Sequence, residues 1–316
     1  MSRFRIEQGR YGVRIVPEGE WTPEMTEYCL SNHVRDVYAN IAFGWPGYDL
    51  AFVQDIPDLL SLEVLTSSVE DLPVIECLPK LRFLSLGWTI TERIDFSQFP
   101  DLEEVRLGWS PKARSIFGCG SLRRILMTNY RAKEGDLSVF SSLSNLESII
   151  LKVCNIRGIG DLSCLTHLRE MEISLARKLT CLDGIETLRR LQKLEIHTCR
   201  KFTRIDPIGQ LGNLEELLLP NNGEIESIRP LRRLRKLREF LFYGSTNIMD
   251  GDLTPLKDLP HLEDVVFAPR RHYNLKAEDL PSKRPPLKER RRQLDEVIEK
   301  SLEKYAQEHG YRPQSE

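Results

Sequence analysis

Leu188-Arg-Arg-Leu191-Gln-Lys-Leu194-Glu-Ile196 is followed one period later by Leu211-Gly-Asn-Leu214-Glu-Glu-Leu217-Leu-Leu219. Both stretches place apolar residues at the first, fourth, seventh and ninth positions. The final spacing of two puts a pair of side chains on one face of a short strand. The phrase recurs as Leu78-Leu81-Leu84-Leu86, Leu234-Leu237-Phe240-Phe242 and Leu259-Leu262-Val265-Phe267. Looser copies run through Ile56-Leu59-Leu62-Val64, Phe99-Leu102-Val105-Leu107, Cys119-Leu122-Ile125-Met127, Leu143-Leu146-Ile149-Leu151 and Leu165-Leu168-Met171-Ile173, with a degenerate first copy at Val34-Val37-Ala39. Successive copies start 20 to 25 residues apart. One copy cannot bury its own apolar edge, whereas stacked copies build one continuous core.

Between the strands, Ile156-Ile159-Leu162-Leu165, Leu179-Leu182-Ile185-Leu188, Phe202-Ile205-Ile208-Leu211 and Ile225-Ile228-Leu231-Leu234 repeat an apolar residue every third position. A period of three fits 3₁₀ turns or extended coil better than an α-helix of period 3.6. Phrases such as Ile205-Asp-Pro-Ile208-Gly-Gln-Leu211 make the chain resemble the short bacterial leucine-rich repeats of the internalin type. The resemblance covers roughly residues 34 to 270. It implies an α/β solenoid, a horseshoe with a parallel β-sheet on its concave face, 3₁₀ or coil returns and a cap at each end. It also implies protein binding on the concave face. Internalins are exported, and this N-terminus has no apolar signal core, which departs from the family. In the family an Asn usually stands three residues after the strand pair; here that slot holds Ser67, Thr89, Ser110, Tyr130, Cys154, Ala176, Cys199, Asn222 and Ser245.

The expected organisation is an N-terminal cap of strand and helix over residues 1–33, ten or eleven repeats over 34–270, and a C-terminal segment over 271–316. That segment carries a charged amphipathic helix at about 287–308, read either as docked on the last repeat or as a projecting, dimerising arm. Forty-one per cent hydrophobic and 29% charged residues, with a formal net charge of −2, describe a soluble protein without a globally basic surface. With no stretch long enough to span a bilayer, the protein is expected in the cytoplasm, with a monomer favoured. Seven cysteines lack metal-ligand spacing and read as small buried residues. No phosphate-binding loop, nucleophile elbow or metal-protease motif occurs, so neither an enzyme nor a cofactor is expected.

Residues between the two strand leucines face the concave side. Several of these are apolar or acidic: Ile150, Glu172, Glu195, Leu218 and Leu241, with Tyr243 beside them. Trp88 and Trp109 follow Gly87 and Gly108 at equivalent positions of adjacent repeats, with Phe83, Arg106, Arg124 and Asn129 expected nearby. Tryptophan and arginine dominate interface energetics, and packing against the turn is the other reading of the two indoles. These residues are the expected partner-binding surface. Enclosing a small partner suits a toxin-neutralising, immunity-type inhibitor or an adaptor. The alternative is a nucleic-acid or anionic-surface binder using the basic flank around 229–238.

Overall fold

The computed structural model describes residues 3–66, 69–87, 90 and 92–283. Trp88, Ser67 and Thr89 lie outside the described residues, as does the helix expected at 287–308. Strand β1 (Phe4–Gly9) pairs antiparallel with β2 (Gly12–Pro17), and helix α1 (Pro23–Ser31) follows. Eleven parallel strands then add one after another to β2, from Asp36–Asn40 through Lys193–His197 to Asp264–Phe267, completing a 13-stranded sheet. Pro23 at the first helical position has no N–H to leave unsatisfied, which suits the start of α1.

The register does not slip along the repeats. Leu194 lies opposite Met171 on one side and Leu217 on the other, and Glu195 opposite Glu172 and Leu218. Each strand therefore drops its two inward side chains onto those of its neighbours, and Leu191, Leu194, Leu214 and Leu217 are fully buried. Return segments close with i→i+3 bonds, such as Leu188 N–H to Ile185 O (3.0 Å) and Leu234 N–H to Leu231 O (2.9 Å). Five-residue 3₁₀ turns such as Ser138–Ser142 and Arg229–Arg233 realise the period of three. At the C-terminal end Phe240, Phe242 and Phe267 stack with ring centroids 4.7 and 5.0 Å apart.

The slot three residues after the strand pair works best at Asn222. Its buried side chain accepts from Cys199 N–H (2.8 Å) and donates to Ile196 O (2.6 Å), bridging two repeats. Cys199 fills the same slot one repeat earlier, its sulfur accepting from Ala176 N–H at 3.3 Å. Burial pushes that thiol up to about 12 and the Cys154 thiol up to about 11, so both stay protonated and structural. In the last such turn the role shifts by one residue. Thr246, not Ser245, donates to Leu219 O and accepts from Asn222 N–H. Two further expectations need correction: Cys77 and Cys164 are exposed rather than buried.

After the strands of the large sheet from Arg124–Thr128 to Glu239–Phe242, the chain turns through a left-handed residue. Asn129, Val153, Leu175, Thr198 and Asn221 have φ between 55° and 60°, and Gly244 has 71°. The N–H groups of the five non-glycine residues bond carbonyls at or just past the end of the following strand, as Val153 N–H does to Ser174 O at 2.9 Å. Asn and Gly tolerate this conformation, but a β-branched residue is strained there, at roughly 1–2 kcal/mol.

Two stability predictions follow from these positions. Leu194→Ala or Leu217→Ala should lose ~2–5 kcal/mol in denaturant unfolding, because each leaves a cavity in the stacked core; a loss under ~1 kcal/mol would contradict the register. Val153→Asn should gain about 0.5–1 kcal/mol by relieving the left-handed strain, read as a higher denaturation midpoint at unchanged slope.

Candidate functional site

The concave surface consists of three parallel columns of side chains, set by the period of two along each strand. At ~4.8 Å per strand, ten strand intervals make it about 48 Å long, enough for a small protein. Its two halves differ.

In the first half the strand-entry column is occupied by the chain's own hairpin. Arg10, at the β1–β2 turn, gives its backbone N–H to Asp36 (2.7 Å) and its guanidinium to Glu104 (2.7 Å). The same guanidinium lies 4.0 Å over the Phe83 ring, and Arg106 covers that ring from 5.3 Å. Phe83 is consequently only 1% exposed. Glu104 also pairs with Arg106 at 2.8 Å and approaches Arg124 at 3.9 Å. Beside this cluster the buried Asp36 carboxylate accepts from Arg14 (2.9 Å) and Ser61 (3.0 Å).

In the second half the floor is open. Leu126 and Ile150 are half-buried, Glu172 and Glu195 come next on adjacent strands, and Leu218 follows. The flanking columns carry Lys193 between Glu170 (3.8 Å) and Glu216 (3.6 Å), and Lys152 at 3.9 Å from Glu172. The acidic column is thus broken by Lys193. Burial, with the neighbouring Glu172 charge second, raises the Glu195 carboxyl above its ordinary range. Along the strand-exit edge Val153, Leu175 and Tyr243 are exposed. Leu241 and Val266 are not: they are 4% and 7% exposed. The segment after the last strand folds back along its edge, with Val265 N–H bonding Pro281 O (3.0 Å) and Ser282 bonding Asp264 (3.2 Å).

Trp109 sits apart from both halves. It is half-buried on the turn side, with its ring centroid 5.6 Å from Phe117 and 5.3 Å from Tyr130. Arg106 turns toward Phe83 and Glu104 instead, and Asn129 is exposed at its left-handed turn. On the basic flank Arg232 pairs with Asp258 (3.0 Å), Arg238 with Glu263 (2.9 Å), and Lys236 donates to Asn213 (2.7 Å). That flank is of mixed charge, and screening leaves such exposed pairs little energy. Among the described residues no group of three or more His, Cys, Asp and Glu is placed to hold a metal ion, and no helix is long and apolar enough to cross a membrane.

Sequence reasoning missed the hairpin tip and the exposed pair Val153 and Leu175. The tip gives no local signal, because Arg10 meets Glu104 across 94 positions. Val153 and Leu175 did carry one: they hold the same offset from their strands as Trp109 does from its own.

No family model matches the chain, and no curated protein sequence matches it. Among solved structures it is similar to an internalin, inlF, from Listeria monocytogenes, with 20% sequence identity and a TM-score of 0.59 over 73% of this chain and 66% of that one. Two other similar structures are internalin C2 of the same organism (19% identity, TM-score 0.47, 68% of this chain and 83% of that one) and a leucine-rich-repeat protein, LIC12759, from Leptospira interrogans (15%, 0.45, 78% and 74%). The in-register parallel sheet, its 3₁₀ returns and the inlF likeness together establish that this chain has the leucine-rich-repeat fold, the solenoid seen in internalins.

Proposed function

We propose that the chain is a non-catalytic binding module that receives a partner protein on the open half of its concave face, between Leu126 and Tyr243. The observation that carries this reading is the Glu172–Glu195 pair, set side by side on adjacent strands with half-buried apolar floor on both sides. Two neighbouring carboxylates with one of them partly desolvated are unfavourable alone. A lysine or arginine from a partner offsets that cost, while Ile150 and Leu218 take up the apolar groups beside it. Exposed Val153, Leu175 and Tyr243 extend the same surface along the strand-exit edge. A surface of this length closing around a small partner fits an inhibitor of the toxin-neutralising kind, or an adaptor, acting in the cytoplasm.

The test is affinity capture from the native cell extract, followed by measured affinities for the captured partner. Glu172→Lys/Glu195→Lys should weaken binding by at least ten-fold with little change in unfolding. Reversing Arg232, Arg233, Arg235 and Lys236 to Glu should leave binding within about two-fold. Tight, steeply salt-dependent binding of the wild type to DNA or RNA, lost in the flank variant, would reverse this assignment.

The pH dependence has a definite sign. The partner's cation needs the ionised Glu195, whose pKa is raised, so affinity should climb as pH rises through and above the usual glutamate range. Stability alone moves the other way, since a carboxyl with a raised folded pKa favours the folded state where it is protonated. Glu195→Gln should flatten both trends, and an unchanged affinity profile would remove Glu195 from the contact.

Trp109 gives a contrast on the same protein. Its contacts are with Phe117 and Tyr130, so Trp109→Ala should cost about 2–4 kcal/mol of stability and leave partner affinity nearly intact under folding conditions. Normal stability with lost binding would move the contact surface to the turn side.

A further inference from the structure

At the N-terminal end a groove of about 830 Å³ lies between α1 and the segment 45–55. One wall is the outer face of α1 from Thr22 to Ser31, including Thr26, Glu27 and Leu30. The other is aromatic. Trp21 stacks on Phe52 with centroids 4.0 Å apart and planes 9° off parallel, and Trp45 lies beneath, buried. The Trp21 indole N–H is fixed by Thr26 Oγ1 at 2.8 Å. Leu30, more than half exposed, forms an apolar lip.

The charge is one-sided. Glu20, Glu27, Asp49 and Asp55 line the groove, and among the described residues no Lys, Arg or His does. Elsewhere exposed carboxylates stand beside cations, as Asp58 does with Lys80 and Glu147 with Arg123. Among the described residues none of the four groove carboxylates has an ion-pair partner; Glu20 accepts from the Tyr48 hydroxyl (3.2 Å) and Asp49 from Ala51 N–H (2.7 Å). The Tyr48 phenol is pushed above its ordinary value by that bond to Glu20 and by the negative charge of Glu20, Asp49 and Glu70.

We propose that this groove is a second binding site, which takes a short basic segment of a partner protein carrying an arginine or lysine. Aromatic faces with carboxylates around them attract a cation through the ring quadrupole and through charge at once. The volume lies in the range of sites for multi-residue or drug-sized ligands, larger than a lone ammonium headgroup needs. The nine residues of α1 span about 13 Å at ~1.5 Å per residue, the length of about four extended residues. The guanidinium or ammonium lies over Trp21 and pairs with Glu27 and Asp55, while apolar neighbours rest on Leu30 and Phe52. None of the groove's lining residues belongs to the strands of the sheet, so the site is separate from the concave contact and does not depend on it.

The test is calorimetric titration of the full chain with the acetylated amide tetrapeptide Leu-Arg-Leu-Arg and with its citrulline counterpart, which keeps shape and removes charge. Saturable binding of the arginine peptide is expected, at least ten-fold tighter than the citrulline peptide and weakening with salt. Glu27→Gln/Asp55→Asn should cost at least ten-fold. Trp21→Ala should lose binding, and Trp21→Phe should restore most of it, separating loss of the ring from loss of the fold. Glu172→Gln/Glu195→Gln should bind the peptide as the wild type does. Equal affinity for both peptides, an unaffected groove variant, or loss in the Glu172/Glu195 variant alone would overturn the proposal. Tetramethylammonium competing as strongly as the peptide would overturn the peptide occupant.

Discussion

Everything in this molecule depends on strands stacking without a slip in register. A strand that presents Leu194 and Ile196 inward has no core of its own; it acquires one because Met171 and Ile173 lie on one side and Leu217 and Leu219 on the other. A shift of one residue would turn Glu195 and Lys193 into the core and bring the leucines to the surface. The same constraint fixes the concave face. Once the inward pair is set, the intervening residue of every strand must join the concave columns, and Glu172 is forced beside Glu195.

Stacking has an open edge at each end, and the chain closes the two differently. The N-terminal edge is covered by an antiparallel hairpin held on Asp36, whose carboxylate is fully enclosed and accepts from Arg10, Arg14 and Ser61. Such a group is tolerable in the interior only because every acceptor position is used. The C-terminal edge is covered by the chain folding back, with Pro281 O taking the Val265 N–H and Tyr273 packed 5.8 Å from Phe267. The hairpin tip consumes concave surface by closing over Phe83.

The periodic part of this architecture was legible in the sequence because it repeats a local rule. Strand positions, inward pairs, the concave columns and the 3₁₀ returns all follow from spacings of two and three. What the sequence hid is of two kinds. Some of it is non-local: nothing near Arg10 announces a partner at Glu104, and nothing near Val265 announces the fold-back at Pro281. The rest is conformational. Left-handed turns at Val153, Leu175 and Thr198 use residues that ordinarily avoid them, so propensity points the wrong way there. The repeating backbone overrides the preference, since each of these N–H groups must meet the next strand's carbonyl. At Thr246 the turn chemistry moved by a single residue, which is below what a repeat pattern resolves.

The two halves of the concave face differ in how far the chain's own residues answer its charge. Arg10, Arg106 and Arg124 gather on Glu104, so charge in the first half is largely answered within the chain. Further along, four glutamates, at 170, 172, 195 and 216, share their columns with Lys152 and Lys193 among the described residues. Opposite charges that are already paired and covered add little to recognition, whereas an excess on a half-buried floor is answered only from outside. The apolar residues obey the same division: Phe83 is sealed, while Ile150, Leu218, Val153 and Leu175 keep area to bury. Self-contact at the N-terminal end therefore leaves both charge and apolar area on the middle and later repeats, the surface proposed above for a partner.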